Sequence, residues 1–247
     1  GIYTGTGNRD INMYGKEITV TSENGPQYTI IDCEDEAEGF ILDSGETLST
    51  IIHGFTIMNA DGNGAVCSNF SGVTVQNCWF KNNSFAGVST TDSTAYISDC
   101  SFHHAGKYAV LARRSSITLT RTSVSDYSVV SPSGSPIELW DDCQAVITDC
   151  QFANNSTAYW GGALRIKESE ATITGCTFDN NHADMSGGAI WVLDGSTPET
   201  VLVSNCTFSG NTAEDDAGCI YISNNGSGAT ITDCTFSNSE ADNGGVF

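Results

Sequence analysis

Aligning the repeated Gly-Gly-Ala-Ile/Leu tetrapeptides of the chain puts Glu138 and Arg165 at equivalent places in consecutive repeats, with Asp141, Asp142 and Glu168 close by. A carboxylate facing a guanidinium can steer a proton or hold a ligand's charge, so this is the candidate catalytic pair. The same alignment gives an outward row of Cys67, Ser89, Leu111, Glu138, Arg165, Trp191 and Tyr221, in which Trp191 and Tyr221 form a short aromatic strip. Such rings join a broad apolar face to a polar edge and suit binding of a sugar or a protein partner. The plainer reading is a surface ion pair of little energetic weight beside a tolerated apolar patch. Of the histidines, His53 precedes Phe55, His103 and His104 follow Cys100, and His182 falls in a turn. None has a Ser or Cys nucleophile at a defined spacing. No Cys-x-x-Cys or paired-His spacing marks a metal site.

What positions these residues is a repeat. The pattern apolar-x-x-Cys-x-Phe-x-Asn recurs along the chain, with its keyed position at Cys33, Phe55, Cys78, Cys100, Thr122, Cys150, Cys176, Cys206 and Cys234, 22 to 30 residues apart. That interval is a solenoid period. Each repeat alternates like a strand around the keyed residue, and a second short strand follows, as at Gly64-Ala65-Val66 and Gly188-Ala189-Ile190. No window has a capped helical pattern. Short strands, Gly/Asn/Ser/Asp turns and no crossover helix predict an all-β fold, a right-handed parallel β-helix of about nine coils forming a single domain over residues 1–247.

The keyed Cys78, Cys100, Cys150, Cys176, Cys206 and Cys234 and the following Phe80, Phe102, Phe152, Phe178, Phe208 and Phe236 are the predicted core ladder. Thiols in register on neighbouring coils have parallel Cβ vectors, unsuited to an unstrained disulfide, so they are expected to be buried small hydrophobes. Any disulfide should then involve Cys67, Cys143 or Cys219, which lie off this ladder. The Asn after the Phe (Asn59, Asn82, Asn154, Asn180, Asn238) is expected to stack as an internal amide ladder. Asn69, Asn82, Asn154, Asn155, Asn205 and Asn225 begin Asn-x-Ser/Thr sequons and are candidate glycosylation sites. The stretch Tyr127 to Pro136 reads as a loop insertion, and Asp32 to Glu38, with five acids in seven residues, as a solvated turn or a calcium loop.

Nine Lys and Arg against 30 Asp and Glu give a net charge of −21, which disfavours nucleic acid as a partner. No apolar run reaches membrane-spanning length. Both termini read as interrupted coils, which predicts either a segment of a longer rod or identical subunits meeting end to end.

Phe152-Ala153-Asn154-Asn155, Phe178-Asp179-Asn180-Asn181 and Phe208-Ser209-Gly210-Asn211 precede Gly161-Gly162-Ala163-Leu164, Gly187-Gly188-Ala189-Ile190 and Ala217-Gly218-Cys219-Ile220. These pairs resemble the FxxN and GGA[I/L] repeats of polymorphic outer-membrane-protein-type adhesins. More broadly, the chain is similar to right-handed β-helix proteins of the pectate-lyase-like superfamily. The resemblance implies an extracellular or cell-surface module, since that superfamily includes adhesins, lyases, hydrolases and inert stalks. A lyase would require a Lys or Arg base beside calcium-binding acids, and a hydrolase several Asp converging from adjacent coils. The clustered bases are Lys107, Arg113, Arg114, Arg121, Arg165 and Lys167. The reading is a non-enzymatic structural or adhesive solenoid, capable of end-to-end assembly into a filament, that meets glycans or surface proteins and needs no cofactor. The alternative is a carbohydrate-active or glycan-binding β-helix using Glu138, Arg165 and Trp191.

Overall fold

The regular coils turn at three corners, and among the described residues most corners share one construction: a residue with positive φ, then a buried side chain that receives a backbone N–H from the coil before. A computed structural model of the chain describes residues 1–103, 106–130, 134–193, 200–223 and 228–247. At the keyed corner the positive-φ residue is Asn77, Asp99, Asp149, Gly175, Asn205 or Asp233, types that tolerate the left-handed region. The next residue turns inward. Cys78 N–H donates to Cys100 Sγ at 3.4 Å, Cys150 N–H to Cys176 Sγ at 3.4 Å and Cys176 N–H to Cys206 Sγ at 3.4 Å. Thr122 fits the same slot because its hydroxyl accepts Cys100 N–H at 3.3 Å.

Between corners run three parallel sheets of ten, nine and nine strands, each coil adding one strand to each in turn. The first contains Trp79–Lys81, Ser101–His103 and Thr177–Asp179, the second Tyr108–Arg113, Ile137–Trp140, Leu164–Lys167 and Ile190–Leu193, and the third Thr94–Ser98 and Glu170–Thr174. This is the right-handed parallel β-helix expected from the repeat, and the nine keyed positions enclose eight turns between them. Phe80 and Phe102 stack with ring centroids 4.8 Å apart, as do Phe152 and Phe178 at 4.8 Å, Phe178 and Phe208 at 4.7 Å, and Phe208 and Phe236 at 4.9 Å. Each buried phenyl is worth about 1.5–3 kcal/mol, and each stacked pair roughly 0.5–1.5 kcal/mol more. Cys78, Cys100, Cys150, Cys176 and Cys206 are buried in single file, whereas Cys234 and Phe236 on the last turn are only half-buried.

The asparagine ladder lies one residue beyond its expected place. Asn59, Asn82, Asn154, Asn180 and Asn238 are the positive-φ residues of the second corner, near the surface. The stacked amides are Asn83, Asn155, Asn181 and Asn211, each fully buried. Asn155 N–H donates to Asn181 Oδ1 at 3.2 Å and Asn181 N–H to Asn211 Oδ1 at 3.0 Å, while Asn181 Nδ2 reaches Phe152 O at 3.0 Å. The left-handed residue must come first, because its φ swings the following side chain into the tube.

The third corner uses serine. Ser93 N–H donates to Ser115 Oγ at 3.3 Å and Cys143 N–H to Ser169 Oγ at 3.1 Å. Cys143 therefore occupies a serine slot. Cys67 is an interior residue of the second sheet, and Cys219 lies 2.8 Å from Ser239 Oγ. All ten cysteines are free thiols, so the three off-ladder cysteines form no disulfide.

The lengthened coils hold more than a loop. From Ser128–Val129 onward a fourth parallel sheet, continued by Ser156–Thr157, His182–Ala183 and Thr212–Ala213, is inserted between the first and second. Its expected loop residues 131–133, like Asn225 and His104, lie outside the described residues. The Gly-Gly-Ala motif marks the re-entry into the second sheet. Gly161 and Gly187 have φ of 67° and 72°. A Cβ on Gly162 would stand 2.0 Å from the carbonyl oxygen of Gly188 on the next coil, so the second glycine is required by close approach. Among the described residues no helix is long and apolar enough to cross a membrane.

Candidate functional site

The outer face of the second sheet carries two rows of side chains, set by strand alternation. The first row is Val66, Ser89, Leu111, Glu138, Arg165, Trp191 and Tyr221. Val66, not Cys67, belongs to it, because Val66 pairs with Ser89 and Cys67 with Thr90, one residue later and facing inward. The second row is Thr91, Arg113, Trp140, Lys167, Leu193 and Ser223.

Glu138 and Arg165 are ladder neighbours joined by an Nη1–Oε1 hydrogen bond of 2.9 Å. They are not the surface pair that their outward position suggests: Glu138 is 0% and Arg165 9% exposed. What covers them is the stretch before the second sheet. The Arg165 guanidinium lies 5.3 Å from the Trp160 ring centre and 5.1 Å from that of Trp191. The two indoles stack at 5.4 Å and Tyr159 packs 5.6 Å from Trp160. Buried Ser135 donates its hydroxyl to Trp160 O at 2.8 Å and closes the other side. Burial pushes the Glu138 carboxyl above the ordinary carboxylate range, outweighing the opposing pull of Arg165 and Lys107. Glu138 Oε2 and Arg165 Nε lack hydrogen-bond partners.

This arrangement assigns different work to the expected residues. A fully buried Glu138 cannot touch a ligand; it neutralises and orients Arg165. Arg165 in turn supports the tryptophans by cation–π contact, worth about 2 kcal/mol when desolvated. Trp191 is 6% exposed and is a packing layer, so the rings a ligand can reach are Trp160, Trp140 and Tyr221, all half-buried. In the second row Trp140 is bracketed by Lys167 at 4.8 Å and Arg113 at 5.7 Å, and Arg113 is held by Asp141 at 2.9 Å. Asp141, Asp142 and Glu168 are positive-φ corner residues.

Trp160 was not legible as a site residue, since it lies outside both rows; its place immediately before Gly161-Gly162 was the available signal. A second group also escaped the sequence. His182 belongs to a strand of the fourth sheet, not a turn, and with Asp184 and Glu214 it brings three ligand-type atoms within 4.8 Å of one another. His103 contacts Ser125 and Asp126, His53 contacts Thr21, and Arg9 takes up Glu34 and Glu36 of the acidic turn. Of the sequon residues, Asn69, Asn82, Asn154 and Asn205 are exposed, while Asn155 is committed to the amide ladder.

Residues 86–247 match the family described as right handed beta helix region. The chain belongs to that family. No curated protein matches it. Among solved structures the β-helix is similar to the catalytic domain of a GH87 α-1,3-glucanase in complex with nigerose, at 15% identity and a TM-score of 0.57, covering 100% of this chain and 60% of that one. A further GH87 α-1,3-glucanase catalytic domain, in complex with tetrasaccharides, has 15% identity and a TM-score of 0.55, with coverage of 96% and 52%. The chain thus spans little more than half the length of those structures, and the likeness at this identity is one of fold.

Proposed function

We propose that this β-helix is a carbohydrate-binding module, extracellular or at the cell surface, that holds a sugar chain along the outer face of its second sheet. The observation that carries the reading is the gathering of three of the four tryptophans, Trp140, Trp160 and Trp191, at one sheet face, braced by Arg165 and its buried counter-ion Glu138. Rigid aromatic faces set beside polar and charged groups are what a sugar needs, because its C–H faces pack on rings and its hydroxyls require hydrogen bonds. Lys167 and Arg113 stand where an acidic substituent on such a chain would lie. The glucanase catalytic domains that share the fold hold oligosaccharides, which supports the same kind of ligand here. A purely mechanical rod gives this face no purpose: a desolvated ion pair stabilises a fold no better than apolar residues of the same volume.

The test is titration of the full chain with a panel of neutral α-1,3-linked and acidic oligosaccharides, followed by tryptophan fluorescence and calorimetry. Saturable binding that weakens about tenfold or more in Trp160→Ala and Arg165→Ala is expected. Absence of binding across the panel, or binding indifferent to both substitutions, would return the chain to the structural reading. Release of shorter or unsaturated products in the same incubations would extend the function from binding to catalysis.

A further inference from the structure

The fourth sheet carries a group of side chains distinct from the aromatic face. His182 opens the strand His182–Ala183, and Asp184 follows two residues later. Thr212 on the next coil pairs with His182, and the Glu214 backbone N–H donates to Ala183 O at 3.1 Å, which brings Glu214 alongside Asp184. The imidazole is held at both nitrogens: Nδ1 lies 2.8 Å from Thr212 Oγ1, and Nε2 lies 3.1 Å from Asp184 Oδ1. One ligand atom from each of His182, Asp184 and Glu214 lies within 4.8 Å of the other two. Two like charges on adjacent coils repel each other, and nothing in ladder packing favours that placement. The preceding coil has Ser156 and Ala158 at the corresponding positions, and the following coil has Glu240 opposite Thr212 with Asp242 two residues on, so carboxylates continue along the row but the imidazole occurs only at His182.

We propose that His182, Asp184 and Glu214 form a binding site for a divalent transition-metal ion of the zinc class, in addition to the proposed carbohydrate face. The imidazole nitrogen selects such an ion over calcium or magnesium, which favour all-oxygen shells. The two carboxylates neutralise its charge. Ligands at about 2.1 Å around a tetrahedral zinc stand about 3.4 Å apart, so His182 Nε2 and Asp184 Oδ1, at 3.1 Å, already have ligand spacing, and Glu214 needs to close by at most roughly 1.4 Å. Partly exposed side chains on fixed strands can do this by rotamer adjustment. The Thr212 contact supplies the outer-shell support: when Nε2 binds the metal, Nδ1 carries the proton and donates it to Thr212 Oγ1. Three protein ligands leave the ion an open position for water or an exogenous ligand.

The experiment is calorimetric titration of the metal-free, reduced full-length chain with zinc and, separately, calcium, with cobalt substitution read by visible absorption. One saturable zinc site is expected, with a cobalt spectrum free of thiolate charge-transfer bands and calcium failing to compete at equal concentration. Affinity should fall about tenfold or more in His182→Ala and in Glu214→Gln, and by a similar factor in Thr212→Val. It should be unchanged in His103→Ala, which removes the two-group contact with Asp126, and in Cys234→Ser, which removes the half-buried thiol. Circular dichroism of each variant establishes that the coil is intact. Wild-type zinc affinity in either His182→Ala or Glu214→Gln, thiolate bands in the cobalt form, or no saturable site at millimolar zinc would overturn the proposal.

Discussion

Replacing Asn181 by alanine tests the corner mechanism directly. Asn181 makes four side-chain hydrogen bonds inside the tube: Oδ1 accepts from Asn155 N at 3.2 Å and from Asn155 Nδ2 at 2.9 Å, and Nδ2 donates to Phe152 O at 3.0 Å and to Asn211 Oδ1 at 3.0 Å. At about 1 kcal/mol each, their removal costs about 4 kcal/mol, and the loss is not recovered by water because the site is fully buried. That is roughly a thousandfold drop in the folded-to-unfolded ratio. The control sits one residue earlier. Asn180 has a φ of 52° and lies at the surface, so Asn180→Gly should be nearly neutral. Urea unfolding followed by circular dichroism measures both. A loss below about 1 kcal/mol for Asn181→Ala, or an equal loss for Asn180→Gly, would refute the claim that the buried amide secures the corner.

The buried pair on the second sheet should behave asymmetrically. Glu138→Gln strands the Arg165 charge and should cost about 3–5 kcal/mol, whereas joint replacement by Glu138→Leu and Arg165→Met should recover most of that stability while abolishing glycan binding. Chemical unfolding beside the sugar titration checks it, and full binding by the double variant would contradict the bracing role. The thiols predict alkaline lability. Burial raises Cys33 and Cys78 to about 11 and Cys67 to about 12, against 9.0 for a free thiol. The folded chain therefore holds protons that the unfolded chain releases, so stability present below about pH 9 should decline as pH rises toward those values, by about 1.4 kcal/mol per pH unit for each thiol. Stability measured from about pH 8 to 10.5 in wild type and Cys78→Ala should show the shallower slope in the variant; identical slopes would count against burial as the cause.

The sequence revealed most where one side chain obeys two constraints at once. A keyed Cys must be small enough for a corner and able to accept a neighbour's N–H, so few residue types serve and the period stands out. The same logic hid the asparagine ladder. Asn154 and Asn155 are adjacent and chemically identical, and only backbone φ tells which one turns inward. Cys67 was misplaced for a related reason, since Gly64-Ala65 aligns with the glycine motif one residue out of register with the true ladder. In a strand one step exchanges inside for outside. The contact of Glu138 with Arg165 was legible because it follows the ladder, but its burial was not, because Trp160 covers it from the position before the glycine motif, where the equivalent residues of the next coils are the small or polar Ser186 and Asp216.

Both candidate sites depend on the same departure from regularity. The early coils pass from the first sheet to the second in a few residues, leaving no chain to fold over the outer face. Once the fourth sheet is inserted, each coil gains a short strand and a return segment. The return segment after Ser156–Thr157 supplies Tyr159 and Trp160, which close over Arg165, and the strands at His182 and Thr212 supply the histidine–carboxylate group. The inward rows continue unbroken through this region, from Phe152 to Phe178 to Phe208. Val129, Thr157, Ala183 and Ala213 of the insert are buried, and only its outward residues are free of the packing demands that fix the corners. In this chain the repeat builds a rigid frame, and the candidate chemistry collects where coils are longer than that frame requires.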